Sequence, residues 1–135
     1  MNQYQRYFAE KHLKNGSNVL IDYKDYILCE NCDFSIDDRE ELSGLMKILS
    51  EIETDNISVY VLMYYDIRYF YADMVCITGS ISDIAEKFSA FSSDPEIIAS
   101  VDEIYLEYYN VYLLEKRKQR EVNLREMDCV YLYWD

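Results

Sequence analysis

The chain has 135 residues, half of them apolar, with 26 acidic and 13 basic side chains and a formal charge of −13. That length suits a single domain over residues 1–135, able to bury roughly two thirds of its unfolded surface. Fifteen Tyr, five Phe and one Trp argue against disorder, the lack of any run of about 18 uncharged apolar residues argues against a transmembrane helix, and the acidity disfavours direct nucleic-acid binding, since such a surface repels phosphate backbones.

Residues 3–14 suit a helix, stopped by Asn15-Gly16. They carry Arg6, Glu10 and Lys11 and no apolar signal core, so no secretory signal is expected. The expected compartment is the cytoplasm, with the four cysteines reduced. Residues 18–29 read as extended, with Lys24-Asp25 as a hairpin turn that lacks the usual glycine. Ser35 is a candidate cap for the next helix, whose start is acidic: Asp37, Asp38, Glu40 and Glu41 sit near its positive end. Leu42, Leu45, Met46, Leu49 and Ile52 then recur at helical spacing up to Glu53.

Residues 57–65 predict a strand with Ile57, Val59, Val61 and Met63 on one face. Asp66-Ile67 is the expected turn, and residues 68–78 the partner strand. Strict alternation there puts Phe70, Ala72, Met74 and Cys76 on one face and Tyr69, Tyr71, Val75 and Ile77 on the other. Asp73 then points to solvent. After Gly79, residues 80–91 carry apolar side chains at helical spacing. Asp94-Pro95 opens a helix read as reaching Lys118, although residues 105–114 are apolar on all sides and fit a buried strand equally. Residues 129–134 predict a final strand. The resulting fold class is α+β: an antiparallel sheet with a central hairpin, covered by three to four helices.

The motifs for chemistry are sparse. Cys29-Glu30-Asn31-Cys32 places two thiols at zinc-ligand spacing, but a tetrahedral site needs two more ligands. The remaining candidates, Cys76, Cys129 and His12, are isolated in sequence, so metal-free thiols and no cofactor are expected. His12 has no assignable nucleophile or orienting group. The pairs Asp37/Asp38, Glu40/Glu41 and Asp102/Glu103 show no sign of the split environments that acid–base catalysis needs. Asp22, Asp25 and Asp33 suit magnesium only if the fold converges them. Three glycines form no phosphate loop. No enzymatic activity is expected.

Charge and aromatics carry more. Residues 22–107 hold 20 acids against five bases, whereas residues 115–126 hold five bases against three acids. Tyr60, Tyr64, Tyr65, Tyr69 and Tyr71 cluster in the hairpin. Exposed Tyr beside Asp and Glu is the composition of a protein-binding surface. In composition alone the chain resembles phage anti-defence proteins, the anti-CRISPR and DNA-mimic inhibitors, and toxin-immunity proteins. That resemblance implies a non-enzymatic inhibitor holding a basic nuclease or nucleic-acid-binding effector, without nucleic acid or membrane as direct partners. Its expected contacts are Asp37, Asp38, Glu40, Glu41, Tyr64, Tyr65, Asp66 and Tyr69. The alternatives are an immunity protein, or an adaptor that forms a homodimer through residues 108–114.

Overall fold

The computed structural model describes residues 1–27, 32–35, 39–66, 69–79, 97–99, 110–127 and 129–133. Helix α1 (Gln3–Lys14) starts through local chemistry. The Asn2 side chain accepts from the Gln5 N–H at 2.8 Å, and the Gln5 side chain accepts from the Asn2 N–H at 2.9 Å. This reciprocal pair satisfies two donors that a helix start leaves open. Gly16, at φ 85°, follows the Asn15 cap in a left-handed conformation that costs glycine little.

Strand β1 (Val19–Asp22) leads straight into a short helix, α2 (Tyr23–Ile27), rather than a hairpin turn at Lys24-Asp25. The Asp22 carboxylate accepts from the Lys24 N–H at 2.9 Å and caps the helix. Neither Lys24 nor Asp25 is the glycine that a two-residue hairpin favours, so the cap prevails. Strand β2 (Cys32–Phe34) and helix α3 (Arg39–Ile52) follow. The apolar stripe of α3 buries Leu45, Leu49 and Ile52, with Leu42, Met46 and Ile48 half-buried against the same core.

Strands β3 (Val59–Asp66) and β4 (Tyr69–Thr78) form the central antiparallel hairpin, from Val59 opposite Ile77 to Asp66 opposite Tyr69. The register slips once. Leu62 faces Met74 and Met63 faces Ala72, which leaves Asp73 as the extra residue of a β-bulge. A bulge reverses the parity of a strand. Phe70 and Ala72 therefore share the helix-covered face with Val75 and Ile77, while Met74 and Cys76 turn to the opposite one. Strict alternation along 68–78 is corrected accordingly, and Asp73 is half-buried at the bulge rather than solvent-directed.

The remaining strands are β5 (Ile97–Ala99), β6 (Asn110–Leu114), β7 (Gln119–Asn123) and β8 (Cys129–Tyr133). Within the helix read over 95–118, residues 97–99 and 110–114 are strands instead, and 95–96 and 100–109 lie outside the described residues. Residues 111–114 are apolar on both sides because β6 lies between β1 and β7 with both faces covered. A strand buried on two faces has no period to distinguish it from a helix. The helix read over 80–91 lies outside the described residues.

The strands join one sheet in the order β5–β8–β4–β3–β1–β6–β7, with β2 pairing to β4 beside this path. The sheet is mixed: β1–β6 and β2–β4 are parallel. The described residues hold three helices, one of only five residues, and more of them are strand than helix. The expectation of an antiparallel sheet under three to four helices is overturned, chiefly because the apolar run after residue 95 supplies strands.

The sheet also curls. Four strands separate β7 from β8 in the sheet, yet only residues 124–128 connect them in the chain. Flat, five strand spacings of ~4.8 Å would put them ~24 Å apart, and six extended residue steps cover at most ~22 Å. Part of that connection is itself a turn, with the Met127 N–H on the Leu124 carbonyl. The concave face gathers Leu20, Leu62, Cys76, Leu113 and Tyr131 around Leu124 from the connection. The Tyr131 hydroxyl donates to the Leu124 carbonyl at 3.1 Å and fixes the closure. Helices α1, α2 and α3 pack on the convex face, against Val19, Val61, Phe70 and Leu132 among others. No described helix is long and apolar enough to cross a membrane.

Candidate functional site

Where β2 begins, it lies beside the tip end of the β3–β4 hairpin, with Cys32 opposite Phe70. A cleft of about 530 Å³ opens there between the end of α2, strand β2 and the first half of α3. Tyr26 and Phe34 are buried and form its floor. The Tyr26 hydroxyl donates to the Asp33 carbonyl and reaches the Phe70 carbonyl at 3.3 Å. Burial pushes this phenol well above its ordinary pKa, so it remains a neutral donor that locks α2 to β2. Leu42 and Met46 of α3 form one wall, and Ile27 the opposite lip. Ile27 is 43% exposed, large for an aliphatic side chain next to a cleft.

The rim of the cleft is polar. Asp33, Arg39 and Ser43 line it and are exposed, and exposed Glu40 adjoins Arg39 in the first turn of α3. Asp33 also accepts from the Phe34 N–H at 2.8 Å, which closes that donor on β2. Residues 30–41 carry six acids and one base in sequence, and of these acids the described Asp33 lines the cavity and Glu40 stands exposed beside it on α3.

Of the expected contacts, Asp37 and Asp38 lie outside the described residues. Glu40 is exposed and Glu41 follows it on α3. Tyr64 is half-buried on the concave face. Its phenol is pushed up first by burial and then by the nearby Asp73 carboxylate. Tyr65 and Asp66 end β3, where they pair with Phe70 and with Tyr69 at the start of β4. The hairpin tip and the acidic rim therefore meet at one end of the sheet through the Cys32–Phe70 pairing. Sequence reasoning missed the cleft floor: Tyr26 looked like a strand residue, and Met46 like core.

The cysteines divide differently from expectation. Cys32 is disulfide-bonded rather than a free thiol, so its sulfur is no thiolate for zinc. Cys29 lies outside the described residues. Cys76 and Cys129 are free and buried, and burial raises the Cys76 thiol well above its ordinary pKa, which leaves it unreactive. Among the described residues no three His, Cys, Asp or Glu side chains group as a metal set. Asp22 precedes α2 and Asp25 lies within it, whereas Asp33 sits on the cleft rim.

At the far edge of the sheet the basic segment forms a closed corner. His12 stacks on Tyr112 at 3.6 Å between ring centres and 8° between planes, and its ring bonds the Gln119 side chain. The Asn2 side chain donates to the Lys116 carbonyl at 2.7 Å, and Lys118 pairs with Glu115 at 3.1 Å. Of residues 108–114, the expected dimer surface, Val111, Leu113 and Leu114 are buried, while 108 and 109 lie outside the described residues. The chain matches no family model, no curated protein and no solved structure.

Proposed function

We propose that the protein is a non-enzymatic inhibitor that binds a basic, nucleic-acid-handling protein, in the manner of anti-CRISPR or DNA-mimic proteins. The observation that carries this reading is an open apolar cleft at one end of the sheet, lined by exposed Asp33 with exposed Glu40 nearby, in the most acidic stretch of the sequence. An apolar centre inside a charged rim is the anatomy of a protein-binding patch. The excess negative charge speeds encounter with a basic surface, and the centre provides residence. The proposed contacts are exposed Glu40, with Glu41 next to it on α3, Asp37 and Asp38 before it in sequence, and Tyr64, Tyr65, Asp66 and Tyr69 at the tip end of the β3–β4 hairpin.

The test is a host-lysate pull-down with salt-gradient elution, followed by an activity assay on the recovered protein. A basic nuclease released by salt, competed off by DNA or RNA and inhibited in its cleavage supports the proposal. A partner indifferent to salt and to nucleic acid overturns it. Toxin immunity uses the same electrostatics, and a recovered toxin with no nucleic-acid activity would select it instead. A salt-indifferent homodimer would favour the adaptor reading instead, although Val111, Leu113 and Leu114 of its expected surface are buried.

A further inference from the structure

We infer that the cleft between α2, β2 and α3 is an anchor pocket for one large apolar side chain of a partner segment whose flanking residues are Lys or Arg. The inference deepens the reading above and rests on its claim that the partner is basic. Three observations carry it.

The first is size and lining. About 530 Å³ lies within the range of cavities that hold a drug-sized ligand, ample for a Trp, Phe or Leu side chain. Tyr26 and Phe34 give a fixed apolar floor, held by the Tyr26 hydroxyl on Asp33. Met46 gives an adaptable wall.

The second is the closed edge of β2. An extended peptide could add to an open strand edge, but the Phe34 N–H is already taken by the Asp33 side chain. Engagement therefore runs through a side chain entering the cleft and not through strand addition. The exposed Ile27 lip and the half-buried Leu42 continue the apolar surface outward along that entry path.

The third is charge. Exposed Asp33 lines the rim with Arg39, and exposed Glu40 adjoins Arg39 in the first turn of α3. An acidic partner segment meets repulsion there, whereas Lys or Arg beside the anchor meets carboxylates.

The probe is a fluorescein-labelled nonapeptide of Lys, Arg and Gly with one central Trp, compared with its central-Ala counterpart by anisotropy at low salt. The Trp peptide is expected to bind at least tenfold more tightly and to shift the methyl resonances of Ile27, Leu42 and Met46. Ser43→Trp, which fills the mouth from an exposed position, is expected to reduce the Trp peptide to the affinity of the Ala peptide without moving the unfolding midpoint. Leu42→Ser gives the same comparison should Ser43→Trp fail to fold. Asp33→Asn with Glu40→Gln retains the acceptor for Phe34 and removes two charges. It is expected to weaken both peptides several-fold while the Trp/Ala ratio persists. Equal affinity of the two peptides, unmoved methyls, or self-association abolished by Ser43→Trp overturns the inference, the last by naming a second copy as the occupant. The two readings separate cleanly: undiminished nuclease inhibition by the Ser43→Trp protein sinks the anchor and spares the inhibitor, and peptide selectivity without any inhibited basic partner does the reverse.

Discussion

The acidic rim and the basic corner stand at opposite ends of the β4–β3–β1–β6–β7 run and use polar groups in opposite ways. In the corner they are spent on the protein itself: His12 with Tyr112 and Gln119, Asn2 with Lys116, Lys118 with Glu115. At the rim, Asp33 accepts from the Phe34 N–H yet stays exposed beside a cavity whose floor is core, and exposed Glu40 stands nearby on α3. The lesson is that net charge alone does not locate a binding surface. The corner has hollows too, of about 290 and 450 Å³ beside Tyr112 and Lys116, but they are lined mainly by polar and charged side chains, whereas the rim hollow is floored by buried Tyr26 and Phe34.

The largest expected effect breaks the rim from below. Phe34→Ala should cost about 3–5 kcal/mol, because Phe34 is buried in the convex core as well as flooring the cleft. Urea unfolding measures it, and a loss under about 1 kcal/mol would mean the floor is not part of the core.

On the other side, the closure that carries the chain from β7 to β8 depends on one hydroxyl. Tyr131→Phe should cost about 0.5–1.5 kcal/mol, since the buried Leu124 carbonyl loses one of its two donors and keeps the Met127 N–H, while the ring keeps its packing. Thermal unfolding would show it, and no change would indicate that water replaces the hydroxyl.

His12→Ala sharpens the contrast. Losing the stack on Tyr112 should cost about 1 kcal/mol in stability and leave affinity for a basic partner unchanged. A drop in affinity at constant fold would shift the binding surface to the corner.

The smallest effect concerns the cap of α2. Partial burial, the largest influence, raises the Asp22 carboxyl pKa, and Glu53 adds to it against the opposing bond from Lys24. The folded state therefore holds the Asp22 proton more tightly than the unfolded chain. Its contribution to stability is fullest below the unfolded pKa of about 3.9 and declines as pH rises through the folded one. Asp22→Asn retains an oxygen for the Lys24 N–H and should be slightly more stable than wild type at pH 7. The advantage should shrink as pH falls toward 4. A pH series of urea midpoints checks this, and a variant advantage that grows on acidification would reverse the assignment.

What was legible in the sequence was whatever local rules decide. The Leu45–Leu49–Ile52 stripe and the β3–β4 hairpin follow from period and turn spacing. The bulge at Asp73 did not, because one inserted residue reverses parity without altering composition. Nor did β6, whose residues 111–114 are covered on both faces and so carry no period. At the candidate site the acidic start of α3 was visible. The cavity was not, because Tyr26 and Phe34 become its floor only once β2 pairs with β4 and α2 folds against it.

The parallel pairing of β1 with β6 sets an order of events for synthesis. Val19 sits opposite Tyr112 and Ile21 opposite Leu114, partners more than ninety positions apart. During translation β1 can pair with β3 once residue 66 has emerged, but its other edge has no mate until about fifty residues later. At 5–20 residues per second that interval is roughly 2–10 s. Through it the nascent chain exposes a Val-Leu-Ile edge that invites wrong partners. Slow, topology-limited refolding and a need for chaperone cover on the ribosome follow from where one four-residue strand finds its second neighbour.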